Sequence, residues 1–495
     1  MGRFLNPNKL GSSPASFTIP PQKTSTGPSQ ETDSRRPRTA TVRTPVRPLA
    51  GLKVGSGPRV SPPPITQEAP TVPVSVMGGL GAYSLFFFLI SPELNDLSQH
   101  FFQVNAYVSW VSQVLLVIAF IASGSTGRGL QLPIGKMWAI FTFLLALTVL
   151  FSTWRSESLS MMMNYVPRCT LFFFAICAFV VDIATLRLFL LAEIFKGLLI
   201  LVICLTMGGD AGGRFAIPES SFYGGANDLA LGLATSAGFF FYWVVQKNII
   251  KMLLGTCALI ASLYFLLKTS SRGAFLAISV MLLCTFIFSA RYRFRLLPIM
   301  LFTPLLLLLM PSGVVHRLTF VSLDSKHAAA TTEEDVASLA SQQEREELFR
   351  RSVAMMFQHP LLGVGVGEFG DAVYRDDMEK GQHSPSLGTH NSYTQIGSEC
   401  GIPALIVYVA ILAMAIRLSY RIFKRSNTDP RFEELANASI CFMASIVGYS
   451  VGTAFYHVAY SGAFPLLTGG VAGLWQAYVA KVNNIPDADP ALLAE

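Results

Sequence analysis

Apolar runs of about twenty residues recur along this chain. The stretches from Val104 to Ala122, from Trp138 to Phe151, from Met252 to Leu267 and from Phe275 to Ser289 carry few or no charged residues. A helix of roughly 20 apolar residues crosses the hydrocarbon core of a bilayer. The sequence therefore predicts an all-α polytopic membrane protein.

The apolar runs predict about twelve transmembrane helices, nine within 73–311 and three within 401–482. The predicted spans lie at about 74–90, 104–122, 134–152, 169–183, 186–207, 226–245, 250–268, 273–290, 295–311, 401–418, 436–455 and 460–480. The composition agrees with this prediction, because 52% of the 495 residues are hydrophobic and only 14% are charged.

Basic residues predict which side of the membrane each loop faces. The segment before the first span carries ten Lys and Arg against three acidic residues, and the positive-inside rule places such a segment in the cytoplasm. Later basic clusters, such as Lys247 with Lys251, then fall on the same side by parity. Both termini are therefore predicted to be cytoplasmic, and the net charge of +7 needs no nucleic-acid partner.

The two ends of the chain are predicted to be cytoplasmic tails, at 1–72 and 483–495. The first is rich in Pro, Ser, Thr and Arg, and it cannot bury enough apolar surface to offset the entropy of ordering. We expect it to be disordered. It is interpreted either as a solvated topogenic tail or as an electrostatic contact with anionic lipid or a partner protein.

The long segment 312–400 is predicted to be a loop on the outer, periplasmic side with structure of its own. A capping box from Ser341 to Glu344 predicts that an amphipathic helix begins there and ends just before Pro360.

Helical periodicity divides the arginines of this predicted helix between two faces. Arg345 shares an apolar face with Phe349, Val353 and Met356, whereas Arg350 and Arg351 are predicted to decorate the solvated face.

Two patterns in the same loop, one of glycines and one of acidic residues, are weak indications of a ligand site. Residues Gly365 to Gly370 match G-x-G-x-x-G, but no predicted strand or βαβ unit surrounds them, so a dinucleotide site is rejected. These glycines predict a tight turn that lets backbone approach a neighbour or a phosphate. Asp376 and Asp377 are interpreted as solvated charges rather than as metal ligands.

His390 is the candidate general base. It lies just before the tenth predicted span, and imidazole accepts a proton near neutral pH. A surface or capping role is the alternative. His327, His359 and His383 share the loop and have no better claim.

Charged residues near or within the spans give further candidates. Arg272 is predicted at the outward end between the seventh and eighth spans, where it either snorkels to the surface or binds an anion. Together with Arg345 and Arg214 it could clamp a lipid diphosphate, because guanidinium groups bind phosphate oxygens bidentately. Glu193 and Lys196 could pair inside the fifth span.

Three local motifs carry a resemblance to a known family. They are Ser271-Arg272-Gly273-Ala274, Arg345 with Phe349 and then Phe357-Gln358-His359-Pro360-Leu361-Leu362-Gly363-Val364-Gly365, and His390-Asn391-Ser392-Tyr393 leading through Glu399-Cys400-Gly401 into a span. In these motifs and in the predicted spans, residues 75–480 or so resemble the O-antigen ligase and O-antigen polymerase superfamily of bacterial envelope glycosyltransferases.

The resemblance implies a GT-C-like fold in the bacterial inner membrane, a glycan donor on undecaprenyl diphosphate, and no metal or nucleotide cofactor. It also implies roles for single residues. His390 resembles the catalytic base, and Arg272 and Arg345, with Arg214 as a further candidate, resemble the arginines that engage the diphosphate. Supporting roles are expected for Asn391, Tyr393, Gly363 and Gly365.

The favoured hypothesis is an inverting, metal-independent ligase that transfers the glycan to a hydroxyl of another glycan or of a lipid A core. A polymerase of the same superfamily differs only in its acceptor, so this alternative stays open. A polysaccharide-lipid transporter would need ionisable groups at depth and repeated halves, and a membrane scaffold would tolerate loss of the whole loop 312–400.

Overall fold

The structure is a computed structural model, and it describes residues 76–104, 107–211, 213–220, 222–289, 292–308, 310, 314–315, 333–381 and 388–485. The predicted N-terminal tail at 1–72, most of the predicted C-terminal tail at 483–495, and His327 and His383 lie outside these residues.

Most of the described chain is α-helical. The helices are α1 (Val76–Phe102), α2 (Val108–Ala122), α3 (Arg128–Gln131), α4 (Pro133–Phe151), α5 (Arg155–Tyr165), α6 (Leu171–Phe179), α7 (Ile183–Thr206), α8 (Ala226–Val244), α9 (Ile249–Lys268), α10 (Arg272–Phe288), α11 (Arg293–Leu308), α12 (Glu333–Gln358), α13 (Phe369–Glu379), α14 (Ser392–Ser426), α15 (Glu433–Gly452) and α16 (Ala463–Asn483). A π-helical segment, Val166–Thr170, joins α5 to α6, and a 3-10 turn, Pro430–Phe432, precedes α15. The short strands β1 (Gly209–Asp210) and β2 (Phe215–Ala216) pair antiparallel.

Within the described residues, six stretches are long and apolar enough to cross a membrane. They are Pro133–Phe151, Arg155–Phe179, Ile183–Thr206, Ile249–Lys268, Ser392–Ser426 and Pro430–Gly452. The helices α2 and α10 are apolar but shorter. The chain is thus an all-α polytopic membrane protein, as the apolar runs predicted, while the count of twelve spans and the sidedness of the loops stay predictions.

An aromatic cluster ties α4, α6 and α16 together. The indole of Trp138 is fully buried, stacks on Phe173 with ring centroids 4.8 Å apart, and lies 4.8 Å from the ring of Phe464. Its Nε1–H donates to Thr468 Oγ1 at 3.0 Å. Helices inside a bilayer associate through close packing and through such interhelical hydrogen bonds, since lipid tails are as apolar as the side chains.

A buried ion pair lies within α7. Lys196 Nζ and Glu193 Oε2 are 3.0 Å apart, and the glutamate is fully buried. In the adjoining α1, the buried carboxylate of Glu93 accepts a hydrogen bond from the Tyr223 hydroxyl at 2.6 Å. The 3.0 Å contact confirms the predicted pairing of Glu193 with Lys196. Such pairing offsets the cost of a buried charge in a span.

Contacts between helix ends divide the loops into two groups. At one end of the bundle Arg187 binds Glu434 with two hydrogen bonds, and Lys247 pairs with Glu433 at 2.7 Å. These are basic residues that the sequence predicts to be cytoplasmic. The loops that the sequence predicts to face outward contact one another instead, through Arg214, Tyr456 and Ser392.

Small residues in α16 let neighbouring helices approach closely. A Cβ added at Gly470 would overlap the ring of Phe442 in α15, whereas one added at Gly462, just before α16, would meet nothing within 4 Å. Close helix approach through small residues is a common packing device in membranes.

We expect Gly470→Leu to destabilise the bundle by about 1–3 kcal/mol, because the added side chain overpacks a fixed ring. Thermal unfolding of the purified protein in detergent measures the effect. Gly462→Ala is the matched control and should leave the midpoint nearly unchanged. Equal midpoints for Gly470→Leu and the wild type would contradict close packing at this position.

Candidate active site

The turn that carries His390 is bound to the loop between α15 and α16 through Ser392. The backbone N–H of Ser392 donates to Thr453 O at 2.8 Å, and its Oγ–H donates to Tyr456 O at 2.7 Å. The Ser392 Oγ also accepts the Val458 N–H at 2.9 Å. Ser392 is fully buried, so these three bonds fix the two segments against each other.

Asn391 and Tyr393 strengthen the same contact. Asn391 is the N-cap of α14, since its Oδ1 accepts the N–H groups of Tyr393 at 2.9 Å and Thr394 at 3.1 Å. Its Nδ2 donates to Ala454 O at 3.0 Å, and the Tyr393 hydroxyl donates to Ser450 O at 2.7 Å. Both residues therefore hold the turn in place rather than point to solvent.

His390 sits on this turn in a left-handed backbone conformation, with φ of 51°. Such a conformation is uncommon for a residue other than glycine, and the bonds of its neighbours hold it there. The side chain is half-buried. Its ring lies edge-on to that of His457, with centroids 5.2 Å apart.

The surroundings of His390 keep its imidazole neutral. Burial lowers its pKa from 6.5 to about 4, and the positive charge of Arg345 and the neighbouring His457 act in the same direction. Burial also lowers the pKa of His457, while the carboxylate of Asp228 opposes that shift. A neutral imidazole is able to accept a proton.

A hydrogen-bond network joins Arg214 to the same loop. Its Nε donates to Thr269 O at 2.9 Å, and its NH2 group donates to Asn227 Oδ1 at 2.8 Å. That amide oxygen also accepts from Ser271 Oγ at 3.3 Å. The Ser271 hydroxyl in turn shares a 2.6 Å hydrogen bond with the hydroxyl of Tyr456, one residue before His457.

The remaining two predicted arginines border this network. Arg272 is the first residue of α10 and follows the buried Ser271 directly, and its own side chain is partly buried. The charge of Arg345 acts on both His390 and Tyr456, and that of Arg214 acts on Tyr456. The structure thus brings His390, Arg345 and Arg214 into one electrostatic environment and places the start of the Arg272 helix beside it.

Gly363 and Gly365 allow the chain to pack closely against neighbouring segments of the protein. Their φ angles are +65° and +121°, and a Cβ would overlap the Glu399 backbone at the first position and the Ser152 hydroxyl at the second. The Gly365 N–H donates to Glu399 O at 2.9 Å. The glycines therefore bring the chain against α14 where it kinks, at Gly401 with φ of 82°. The close approach is to the Glu399 backbone at Gly363 and to the Ser152 side chain at Gly365.

The helix α12 differs from its sequence prediction at its start. It begins at Glu333, so Ser341 lies inside it and the capping box does not mark the N-terminus. Its end at Gln358, just before Pro360, agrees with the prediction. The local capping pattern was compatible with an earlier start because Ser, Gln and Glu are tolerated within a helix.

The faces of α12 are also shifted from the prediction. Leu348 is buried, while Phe349 is 46% exposed. Arg350 is exposed and pairs with Glu347 at 3.0 Å. Arg351 was predicted on the solvated face and this is wrong, since it is partly buried and bridges to Asp377 at 2.7 Å.

Asp377 was interpreted as a solvated charge, and this too is wrong, because it is only 2% exposed and neutralised by Arg351. Its neighbour Asp376 is exposed and pairs with Lys380. Helix α13 packs on α12 and buries the faces that carry Arg351 and Asp377. The periodicity of either helix alone does not identify these faces.

Four polar residues of the site were missed by sequence reasoning: Asn227, Asp228, Tyr456 and His457. The order of the predicted spans places Tyr456 and His457 on the outward side. They fall between the eleventh and twelfth predicted spans, on the same predicted side as His390. A histidine beside a tyrosine in such a short outward loop is a candidate site residue.

The comparison with family models bears on the same region. Residues 257–409 match the model of the O-antigen ligase family. The matched segment includes Arg272, Arg345 and His390. A comparison with curated proteins finds none that matches. This segment is thus similar to the O-antigen ligase family, which confirms the predicted resemblance of the chain to the O-antigen ligase and polymerase superfamily.

Proposed function

We propose that this protein is a glycosyltransferase of the O-antigen ligase type in the bacterial inner membrane. It transfers a glycan from undecaprenyl diphosphate to a hydroxyl acceptor, a glycan or a lipid A core, on the periplasmic side. The observation that carries the proposal is the hydrogen-bonded path from Arg214 through Asn227, Ser271 and Tyr456 to Ser392, beside the half-buried His390 on which the charge of Arg345 acts.

The arginines suit a lipid diphosphate leaving group. Negative charge grows on the diphosphate as its bond to the anomeric carbon breaks, and donors already aimed at that charge stabilise the transition state. The bonds of Arg214 to Thr269 and Asn227 hold its guanidinium in a fixed orientation, so little reorganisation is needed on binding. Arg345 adds positive charge close to His390, and Arg272 begins the helix that follows Ser271.

His390 suits the role of general base. As the acceptor hydroxyl attacks the anomeric carbon, its oxygen forms the new glycosidic bond and its proton passes to the imidazole. The bond between the anomeric carbon and the diphosphate breaks on the opposite face, so the configuration inverts. A bound diphosphate offsets the charge of Arg345, which raises the pKa of His390 toward the neutral range where a base is most effective.

We expect His390→Asn to reduce glycan transfer by about 10²–10⁴-fold, the usual contribution of a positioned base. Asparagine tolerates the left-handed backbone conformation of this position but cannot accept the proton. Transfer from a lipid-linked donor in proteoliposomes is the measurement. His359→Ala, an exposed residue of the same loop, is the control and should retain full activity.

Near-normal transfer by a folded His390→Asn protein would remove His390 from the mechanism. In cells, the same variant distinguishes the two acceptors. A ligase deficiency leaves long glycan chains that are not attached to lipid A core, whereas a polymerase deficiency eliminates the long chains themselves.

The pH profile should report the shifted pKa of His390. Because that pKa is about 4, kcat/KM is expected to stay level down to about pH 5 and to fall only below it, as the base becomes protonated. Arg345→Gln removes a charge that lowers the pKa, so its acid limb should move to higher pH. An unchanged acid limb in the variant would show that Arg345 does not act on the titrating base.

Arg272→Lys should lose most of the activity, by about tenfold or more, although the charge is kept, because a lysine lacks the planar fork that binds two phosphate oxygens. The control is Arg350→Lys, which alters an exposed arginine paired with Glu347. Initial rates at several donor concentrations measure the loss. Wild-type turnover in Arg272→Lys would favour the alternative that Arg272 merely snorkels to the membrane surface.

A further inference from the structure

A group of three carboxylates lies at the N-terminus of α13. Glu157 comes from the first turn of α5, Glu368 directly precedes α13, and Asp371 lies in its first turn. One carboxylate oxygen from each lies within 4.8 Å of those from the other two. The chain separates Glu157 from the other two by more than 200 residues, so the fold itself assembles the group.

Glu368 is the informative member, because its carboxylate is buried and incompletely satisfied. The residue is 1% exposed. A Glu368 oxygen, Oε1, accepts from Ser158 Oγ at 3.2 Å, whereas Oε2 has no hydrogen-bond partner among the described residues. A buried carboxylate oxygen without a partner is costly, and a bound cation is one way in which proteins satisfy it.

The local charges point the same way. Glu157, Glu368 and Asp371 are three acidic groups with oxygens within 4.8 Å of one another, and such groups repel each other. The guanidinium of Arg375, which stacks over the Trp154 ring at 4.7 Å, lies near the same group. A cation bound between the three carboxylates would relieve this repulsion.

We propose that Glu157, Glu368 and Asp371 bind a divalent cation, and that calcium is the ion that fits best. Carboxylate oxygens are hard ligands, and calcium accepts irregular sets of them together with backbone carbonyls and water, whereas magnesium demands near-ideal octahedral geometry. Three protein carboxylates, of which Glu368 is buried and Glu157 exposed, suit an affinity of about 10⁻⁴–10⁻³ M, as in extracellular calcium modules. The ion has a structural role and takes no part in glycan transfer.

The position of the site explains what the ion would stabilise. It ties α13 to α5, and α13 is in turn bound to α12 through the Asp377–Arg351 ion pair and the buried contact of Phe369 with Leu348. Because α12 carries Arg345, the ion would help to hold that arginine at the active site.

Terbium luminescence tests the proposal directly. Trp154, three residues before Glu157, can sensitise a bound terbium ion when tryptophan is excited. The purified full chain in nanodiscs should give a saturable signal that calcium displaces. The double variant Glu368→Gln/Asp371→Asn should bind terbium at least about tenfold more weakly. Asp376→Asn, which removes an exposed acid from the same helix, is the matched control and should bind like the wild type.

Thermal unfolding supplies a second readout. Calcium should raise the midpoint of the wild type and of Asp376→Asn but not that of the double variant. If the double variant does not fold, Glu157→Gln replaces it, because Glu157 is exposed and its substitution leaves the buried Glu368 in place. Equal terbium affinity in the wild type and a folded ligand variant, or a midpoint that calcium does not move, would overturn the proposal. Neither result would affect the assignment of His390.

Discussion

The hydrogen bonds of Ser392 are the contact on which the geometry of the candidate active site depends. They join the turn of His390 to the loop 453–458 with the N–H and the hydroxyl of one buried residue. Through that loop the hydroxyl of Tyr456 continues to Ser271, and from there to Asn227 and Arg214. Four chain segments that are far apart in sequence are thereby fixed together in a bundle whose helices gain little from the hydrophobic effect in lipid.

The same geometry explains why one histidine stands apart from its neighbours. His359 is exposed and directly follows α12, whereas His390 is half-buried and close to the charge of Arg345. Burial and a nearby cation both disfavour the imidazolium. Under the proposed function, a bound diphosphate would offset the charge of Arg345, and the pKa of His390 would then rise from the value that burial and Arg345 set.

Sequence reasoning succeeded where one local pattern is sufficient. Apolar runs identify the membrane class, and the motifs around Arg272, Arg345 and His390 identified a superfamily that the match at 257–409 supports. It failed where the decisive neighbour lies on another element. Arg351 and Asp377 both appeared solvated from their own patterns, yet each is the partner of the other across α12 and α13. The start of α12 was misjudged for a related reason, since a capping box is a local signal that a longer helix can override.

The sequence by itself determined that this chain spans a membrane, which motifs it carries and which loops are expected to share a side, because these properties depend on residues close together along the chain. Only the tertiary structure decided that Tyr456 and His457 border His390, that Arg214 is held by Asn227, and that Glu157 meets Glu368 and Asp371. Helical periodicity assigns a residue to a face, but the partner of that face is set by how distant helices pack, and this information is not contained in any single segment.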